Sequence, residues 1–207
     1  NELSLSASSA WDNLQGVLTS QKSVEFELDG KMQTLPLPAL INLRSHPDAD
    51  TRERAYKLEM KVFEEMKEPL AACMNGIKGE VNVLNRRRGR QDALHSALDM
   101  ARIDRETLDA MMGAMQDSLP MFRDYFRAKA KKLGHDKLPW WSLFAPVGSA
   151  NKSYSFSEAK ELILENFAKF SPELAKLAQT AFESNWIDAE QRAGKRGGAF
   201  CMGIPVV

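Results

Sequence analysis

One apolar stripe constrains this chain more than any other feature of its sequence. Between residues 55 and 84, apolar side chains recur every three or four positions, which is the period of one helix face. They are Ala55, Leu58, Val62, Met66, Leu70, Cys73, Ile77, Val81 and Leu84. Pro69 interrupts the stripe without changing its phase, so the sequence predicts one long kinked helix, not two helices joined by a loop.

A second apolar stripe with the same period runs through residues 108–133. It also keeps its phase across a proline, Pro120, so a second long helix is predicted there. Asp104 is placed to cap the start of this helix, and Gly134 is placed to end it. The stripe includes methionines that are expected to fill the core: Met111, Met112 and Met115.

A β-hairpin is predicted near the start of the chain. Apolar and acidic side chains alternate over residues 24–28, and the Asp29–Gly30 pair that follows tolerates the positive φ of a tight turn. Pro36 is expected to end the second strand. Shorter helices are predicted over residues 5–18, 37–43, 92–100, 155–170 and 171–186.

Three of the predicted helices carry start signals. Asp50 and Glu53 are spaced like a capping box at the start of the long helix. Ser155–Glu158 contains a second box of this kind, because a serine is followed three positions later by a glutamate. Ser171 is a cap residue followed by Pro172 at the first helical position.

The regions outside these helices differ in character. Residues 138–147, LPWWSLFAPV, have no clear period and are predicted to form a packed connector, in which Trp140 and Trp141 are more typical of an anchor than of an aromatic platform. A basic, glycine-rich run at residues 192–198 leads into a predicted strand at residues 198–204. This strand has no obvious neighbour in the sequence, so it pairs either with the early hairpin or with residues further along the polypeptide.

The chain is therefore expected to be mainly α, a helical array with a small hairpin near its N-terminus and one C-terminal strand. We predict two regions. Residues 1–46 form an N-terminal helix and hairpin region, and residues 47–207 form a helical lobe.

Charge and composition narrow the classes of partner. The 28 Lys and Arg residues balance 28 Asp and Glu residues, so neither nucleic acid nor an anionic membrane is expected as a partner. No stretch approaches the roughly 20 apolar residues that span a bilayer, and no secretory signal opens the sequence. Cys73 and Cys201 lie far apart, which favours free thiols in a reducing compartment, and a cytoplasmic location is expected.

No complete catalytic site is evident in the sequence. His46, His95 and His135 include no pair at the i, i+4 spacing of a zinc-binding helix. His95 and Asp99 are one turn apart and could act as a base and its orienter, although an ordinary surface pair is favoured. Cys201 lies in an apolar strand without a cation nearby to activate its thiol, so packing is favoured over a nucleophilic role.

The C-terminal part of the chain resembles a known family. Residues 186–205, WIDAEQRAGKRGGAFCMGIP, resemble the segment of oligoendopeptidase F-like enzymes that leads into their zinc-binding helix; these enzymes belong to the wider thimet-oligopeptidase family. Residues 52–80, 125–148 and 153–190 are similar to helices and a connector of the same enzymes. The resemblance covers residues 38–205 and is most specific at GKRGGAF.

This resemblance implies a saddle-like helical zinc metallopeptidase with a deep cleft for short peptides. The family binds zinc through His-Glu-x-x-His and a later glutamate, none of which this sequence contains. By family order they are expected past Val207, so this chain is expected to be a fragment that binds no zinc and is inactive alone. Gly198, Ala199 and Phe200 match the family strand that lines the cleft, and are expected to contact the main chain of substrate peptides.

The sequence leaves other interpretations open. Gly198 to Phe200 could form an ordinary core strand. The whole chain could be a stand-alone helical module that binds protein or nucleic acid through the basic cluster at residues 86–90, although that cluster lacks interleaved aromatic residues and is typical of a solvated helix end. A catalytically dead homologue that only binds peptides is a further alternative. On the family interpretation, the partners are short peptides and the remainder of the same polypeptide.

Overall fold

A computed structural model describes residues 2–148, 152–190, 192 and 194–196 of the chain. The predicted C-terminal strand and Cys201 lie outside these residues. Contacts group the chain into two compact units, Asn1–Val147 with Ala193–Val207 and Gly148–Arg192. The boundary predicted at residue 46 stays a prediction.

The described residues are mainly α, with one two-stranded sheet, as the sequence predicts. The first unit contains α1 (Glu2–Ser6), α2 (Ser8–Gln21), β1 (Ser23–Leu28), β2 (Lys31–Pro36), α3 (Leu37–Asn42), α4 (Ala49–Arg87), α5 (His95–Ala101) and α6 (Arg105–Lys132), with 3₁₀ turns at Leu43–Ser45 and Trp140–Ser142. The second unit contains α7 (Phe156–Phe170) and α8 (Pro172–Glu183). No helix in the described part of the chain is both long and apolar enough to cross a bilayer.

Helix α4 is the long helix that the first apolar stripe predicts. It runs for 39 residues with Pro69 inside it, so the proline does not divide the helix. Its start differs from the prediction, because Asp48, not Asp50, is the cap and its side chain accepts a hydrogen bond from the Thr51 amide at 2.7 Å. Asp50 instead pairs with Arg54 one turn later, at 2.6 Å.

The hairpin forms where the sequence places it. Ser23 pairs with Pro36 at the open end and Leu28 with Lys31 at the turn. Asp29 and Gly30 both have positive φ, 52° and 74°, which is the backbone of a tight I′ turn that matches the twist of the strands.

The core of the first unit lies between the hairpin, α3 and the first half of α4. Six buried apolar residues form it: Phe26, Leu37, Leu40, Ala55, Val62 and Met66. Removing these side chains from water is the main favourable term that holds the three elements together. Cys73, further along the same helix face, is a buried free thiol, as predicted.

A buried acid interrupts the apolar face of α4. Glu59 lies between Ala55 and Val62 in helical phase and is only 2% exposed. Arg44, just after α3, donates through Nε to Oε2 of Glu59 at 3.2 Å, and through a second guanidinium nitrogen to Oε1. A charge buried so completely requires such a partner.

The N-terminal helix is broken where the sequence predicts one continuous helix. Ala7, at φ −111° and ψ −108°, separates α1 from α2. Glu80 of α4 accepts hydrogen bonds from the Ser4 hydroxyl at 2.6 Å and from the Ser8 amide at 2.7 Å. These hydrogen bonds lower the pKa of Glu80, and the bond from Ser4 has the largest effect. The Glu80 carboxylate therefore links α4 to the first turn of α2.

Helix α6 begins at its Asp104 cap, whose side chain accepts from the Thr107 amide at 2.8 Å, and it ends before Gly134, which has φ +79°. Both ends agree with the sequence. The expectation that its methionines fill a core is wrong in the described structure: Met115 is 57% exposed, and Met111 and Met112 are exposed too. The apolar period predicted the helix correctly but could not say what would cover its face.

The second unit is a pair of packed helices. At the start of α7 the capping box is complete, since Ser155 accepts from the Glu158 amide and Glu158 accepts from the Ser155 amide. Ser171 caps α8, which ends at Glu183, three residues earlier than predicted. The rings of Phe156 and Phe182 join the helices edge to face, with centroids 5.9 Å apart.

Two glycines in α4 give a matched pair for a stability test. A Cβ at Gly76 would overlap the indole of Trp11 on α2, whereas a Cβ at Gly79 would meet nothing within 4 Å. We expect Gly79→Ala to stabilise the chain by about 0.5–1 kcal/mol, because alanine loses less backbone freedom in a helix. Gly76→Ala should destabilise it by about 1–3 kcal/mol through overpacking. Urea unfolding of both variants measures the difference, and equal effects would contradict this packing of α2 on α4.

The buried ion pair gives a second test of stability. Arg44→Met leaves Glu59 buried without a partner and should cost about 3 kcal/mol in the free energy of unfolding. Adding Glu59→Leu should recover most of this loss. As a control, Lys57→Met removes an exposed pair with Glu53 and should change stability by less than about 0.5 kcal/mol. If Arg44→Met lowers the free energy of unfolding no more than Lys57→Met does, then Glu59 is not a buried carboxylate that depends on Arg44.

Candidate functional site

The structure describes the chain up to the edge of the predicted substrate-facing segment. Gly198, Ala199 and Phe200 themselves lie outside the described residues. Of the last residues described before them, Gly194 and Arg196 contact helix α2. The Gly194 amide donates to the carbonyl of Ser20 at 3.0 Å.

Arg196 makes the second contact with α2. Its guanidinium lies 3.4 Å from the Asn13 side-chain oxygen and 3.7 Å from an Asp12 carboxylate oxygen. A Cβ at Gly16 would overlap this guanidinium. Gly194 and Arg196 are therefore both held against helix α2. The basic, glycine-rich composition of residues 192–198 did not indicate a contact with this helix.

A side chain of helix α4 holds the connector at residues 138–147 through a hydrogen bond. Arg52 of α4 donates to the carbonyls of His46 and Pro47 at 2.7 and 2.8 Å, and to the Ser142 hydroxyl at 3.4 Å. The guanidinium is 3% exposed, and its burial lowers its pKa. Arginine starts from so high a pKa that it still carries its charge here.

Helix α6 holds the same connector from another direction. The buried Lys129 ammonium donates to the Leu143 carbonyl at 2.8 Å. Trp141 packs against Tyr56 of α4, with ring centroids 5.7 Å apart. The prediction of a packed connector is confirmed, and Trp141 is its anchor.

Sequence reasoning missed the two buried cations that make this junction. Each continues an apolar stripe in helical phase, Arg52 three residues before Ala55 and Lys129 three residues after Phe126. A basic residue in phase with an apolar stripe was the available signal. It predicts burial, but not the carbonyl that the side chain would reach.

An open cleft lies between α6 and the connector. Its volume is about 590 Å³. Trp140, 63% exposed, is in its wall, so this tryptophan lines a cleft whereas its neighbour is an anchor. The other lining residues are Arg123, Phe126, Arg127, Ala130, Asp136, Lys137, Leu138 and Leu143. This mixture of cations and apolar walls could bind a ligand, but it contains no group of catalytic side chains.

The histidines do not form a metal site. Among the described residues, no three His, Cys, Asp or Glu side chains are grouped to hold a metal ion. His95 and Asp99 form the expected pair one helical turn apart, with Nε2 and Oδ1 separated by 3.7 Å. Asp99 also forms an ion pair with Arg90 at 3.3 Å, so its carboxylate is shared between His95 and Arg90.

The basic turn after α4 has the character predicted for a solvated helix end. Arg86, Arg87 and Arg88 are exposed, and Arg90 is half-buried beside Asn85, whose side-chain oxygen accepts from it at 3.0 Å.

Comparison with known proteins identifies the family. Residues 42–206 match the sequence profile of peptidase family M3. Oligopeptidase PepF of Bacillus subtilis is 25% identical over 176 residues, which cover 84% of this chain and 26% of that protein. Group B oligopeptidase PepB of Streptococcus agalactiae is 26% identical over 163 residues, covering 79% of this chain and 27% of that protein. The chain thus spans about a quarter of the length of these curated relatives.

Solved structures share the fold. A protein of Bacillus anthracis assigned as an oligoendopeptidase F superposes with a TM-score of 0.81 at 14% identity, over 94% of this chain and 36% of that chain. PZ peptidase A superposes with a TM-score of 0.74 at 17% identity, over 95% of this chain and 34% of that chain. The family match covers most of the chain, and its relatives include proteins named oligoendopeptidase F, as the resemblance of residues 38–205 implies. The chain therefore belongs to peptidase family M3.

Proposed function

We propose that this chain is part of a zinc oligopeptidase that hydrolyses short peptides. The observation that carries the proposal is the match of residues 42–206 to peptidase family M3. The relatives named oligopeptidase support the substrate class. Since the chain spans about a quarter of their length, the activity of the whole protein is itself part of the proposal. The proposal includes a cytoplasmic location. The buried free thiol of Cys73 supports it, because thiols stay reduced in that compartment.

In this proposal the chain supplies helical cleft wall. Helices α4 and α6 are joined through the connector by buried side chains, Arg52 and Lys129, and such a junction suits a rigid wall. The segment Gly198 to Phe200 faces the substrate and pairs with its main chain as an added strand. Recognition through main-chain groups suits an enzyme that accepts peptides of varied sequence.

The described residues do not fit a zinc site. We therefore propose that the metal ligands come from elsewhere in the polypeptide, and that no step of hydrolysis is carried by side chains of the described residues. This division of labour makes the chain a scaffold and a binding surface.

The first experiment compares residues 1–207 with the complete reading frame that encodes them. Both proteins are assayed with internally quenched short peptides, before and after zinc is removed with a chelator and restored. We expect hydrolysis by the complete polypeptide, dependent on zinc, and none by residues 1–207. Stoichiometric zinc binding with peptide hydrolysis by residues 1–207 alone would contradict the proposed division. Peptide binding without hydrolysis by the complete polypeptide would instead indicate a catalytically dead homologue.

The substrate-facing role of Ala199 predicts a specific kinetic effect. Ala199→Pro removes a main-chain donor and should raise KM in the complete polypeptide by roughly threefold to tenfold, the effect of one lost hydrogen bond. Ala199→Ser keeps the donor and is the matched control, with KM expected near that of the unchanged protein. Equal KM values for the two variants, with both proteins folded, would show that the main chain of Ala199 does not bind substrate.

A further inference from the structure

The open cleft beside α6 exists because the chain reverses direction where that helix ends. The amide of His135 donates to the carbonyl of Ala130 at 2.9 Å, and the amide of Gly134 donates to the carbonyl of Lys131 at 3.2 Å. These two bonds, with the positive φ of Gly134, form a common motif that ends a helix and turns the chain back. The residues that follow lie beside the last turns of α6 and form the second wall of the cleft.

The two walls are held together by contacts outside the cleft opening. The buried Lys129 ammonium of α6 donates to the carbonyl of Leu143 on the second wall. Trp141 packs against Tyr56 of α4, whereas its neighbour Trp140 stays exposed in the cleft wall. Because the walls are fixed before any ligand enters, binding there costs little conformational freedom of the protein.

The cleft walls carry more positive than negative charge. Arg123 and Arg127 lie one turn apart on α6, and Lys137 is on the second wall, where Asp136 is the one acid of the lining. Arg127 forms an ion pair with Asp124 at 2.7 Å. Within the described part of the chain, Arg123 and Lys137 have no ion-pair partner. A negatively charged group that enters the cleft therefore meets two cations that are not neutralised.

The remaining lining of the cleft is apolar. Phe126 of α6 and Trp140 of the second wall are both exposed there, and the others are Ala130, Leu138 and Leu143. Tryptophan and arginine are the side chains that most often carry binding energy at protein surfaces. A ligand that suits this lining has one large apolar group and one negative charge. The last residue of a peptide has both when its side chain is apolar, since its α-carboxyl group is ionised at neutral pH.

We propose that this cleft binds the C-terminal residue of a short peptide. Arg123 and Lys137 attract the free carboxylate, and Trp140 and Phe126 pack against a large apolar side chain. The peptide nature of the ligand rests on the proposed function, in which the complete polypeptide acts on short peptides. The preference for an apolar carboxylic acid follows from the cleft alone.

The first measurement uses a ligand that an endopeptidase does not consume. N-acetyl-L-phenylalanine has the ring and the carboxylate but no bond between two amino acids. Its binding to the complete polypeptide is followed by ligand-detected NMR titration, and we expect a Kd on the order of 1 mM for a ligand of so few atoms. N-acetyl-L-phenylalaninamide lacks the charge and N-acetylglycine lacks the ring, so each should bind at least about fivefold more weakly.

Variants of the complete polypeptide locate the binding in the cleft. Trp140→Ala and Arg123→Gln should each raise the Kd for N-acetyl-L-phenylalanine by roughly threefold to tenfold, whereas Arg123→Lys keeps the charge and should retain most of the binding. Phe144→Ala removes an exposed ring of the same connector, and Lys132→Gln removes an exposed cation of the same helix; neither residue lines the cleft. Both controls should leave the Kd unchanged. All four positions are exposed, so melting temperatures close to that of the unchanged protein are expected.

Three results would overturn the proposal: no saturable binding at concentrations about tenfold above the expected Kd, equal binding of the acid and its amide, or equal Kd values for Trp140→Ala and Phe144→Ala. Hydrolysis is measured separately, so failure of the cleft and failure of the proposed function can be told apart. Peptide hydrolysis with binding that ignores the cleft variants would overturn the cleft and keep the function. Binding that depends on Trp140 and Arg123 without any hydrolysis would support the site and overturn only its peptide ligand.

Discussion

The buried face at the start of α4 is the constraint on which the first unit depends. Its apolar residues pack against the hairpin and α3, and two charged residues on the same helix bind different neighbouring segments. Glu59 is held by Arg44, and Arg52 binds the loop before the helix together with Ser142 of the connector. Because a buried charge is costly without its partner, these bonds permit few alternative arrangements of the neighbouring segments.

The remaining surfaces are less constrained. Helix α6 has a buried cation at its C-terminal end, whereas the apolar residues of its first half, Met111 to Leu119, are exposed in the described structure. Exposed apolar surface of this extent is typical of a protein interaction site.

Local signals predicted the elements well. The I′ turn at Asp29–Gly30 and the caps at Asp104, Ser155 and Ser171 all depend on residues within a few positions, so the sequence could reveal them. The start of α4 differs from the prediction, because aspartate at either position 48 or 50 can cap a helix, and only the structure shows that the Asp48 side chain accepts from the Thr51 amide. The break at Ala7 was missed for a different reason: Glu80, more than 70 residues away in sequence, provides the hydrogen bonds that replace the helix there.

The sequence by itself determined most of the described helices, the hairpin and the family, and it indicated the segment that we propose to face the substrate, because periodicity, capping and motifs are carried by neighbouring residues. Tertiary structure alone decided which charges are buried, which apolar face is exposed, and where the glycine-rich segment lies. Arg196 and Asn13 are 183 positions apart, and no local pattern in either segment names the other. This contact depends on how the first unit packs, which is why it could be found only from the three-dimensional structure.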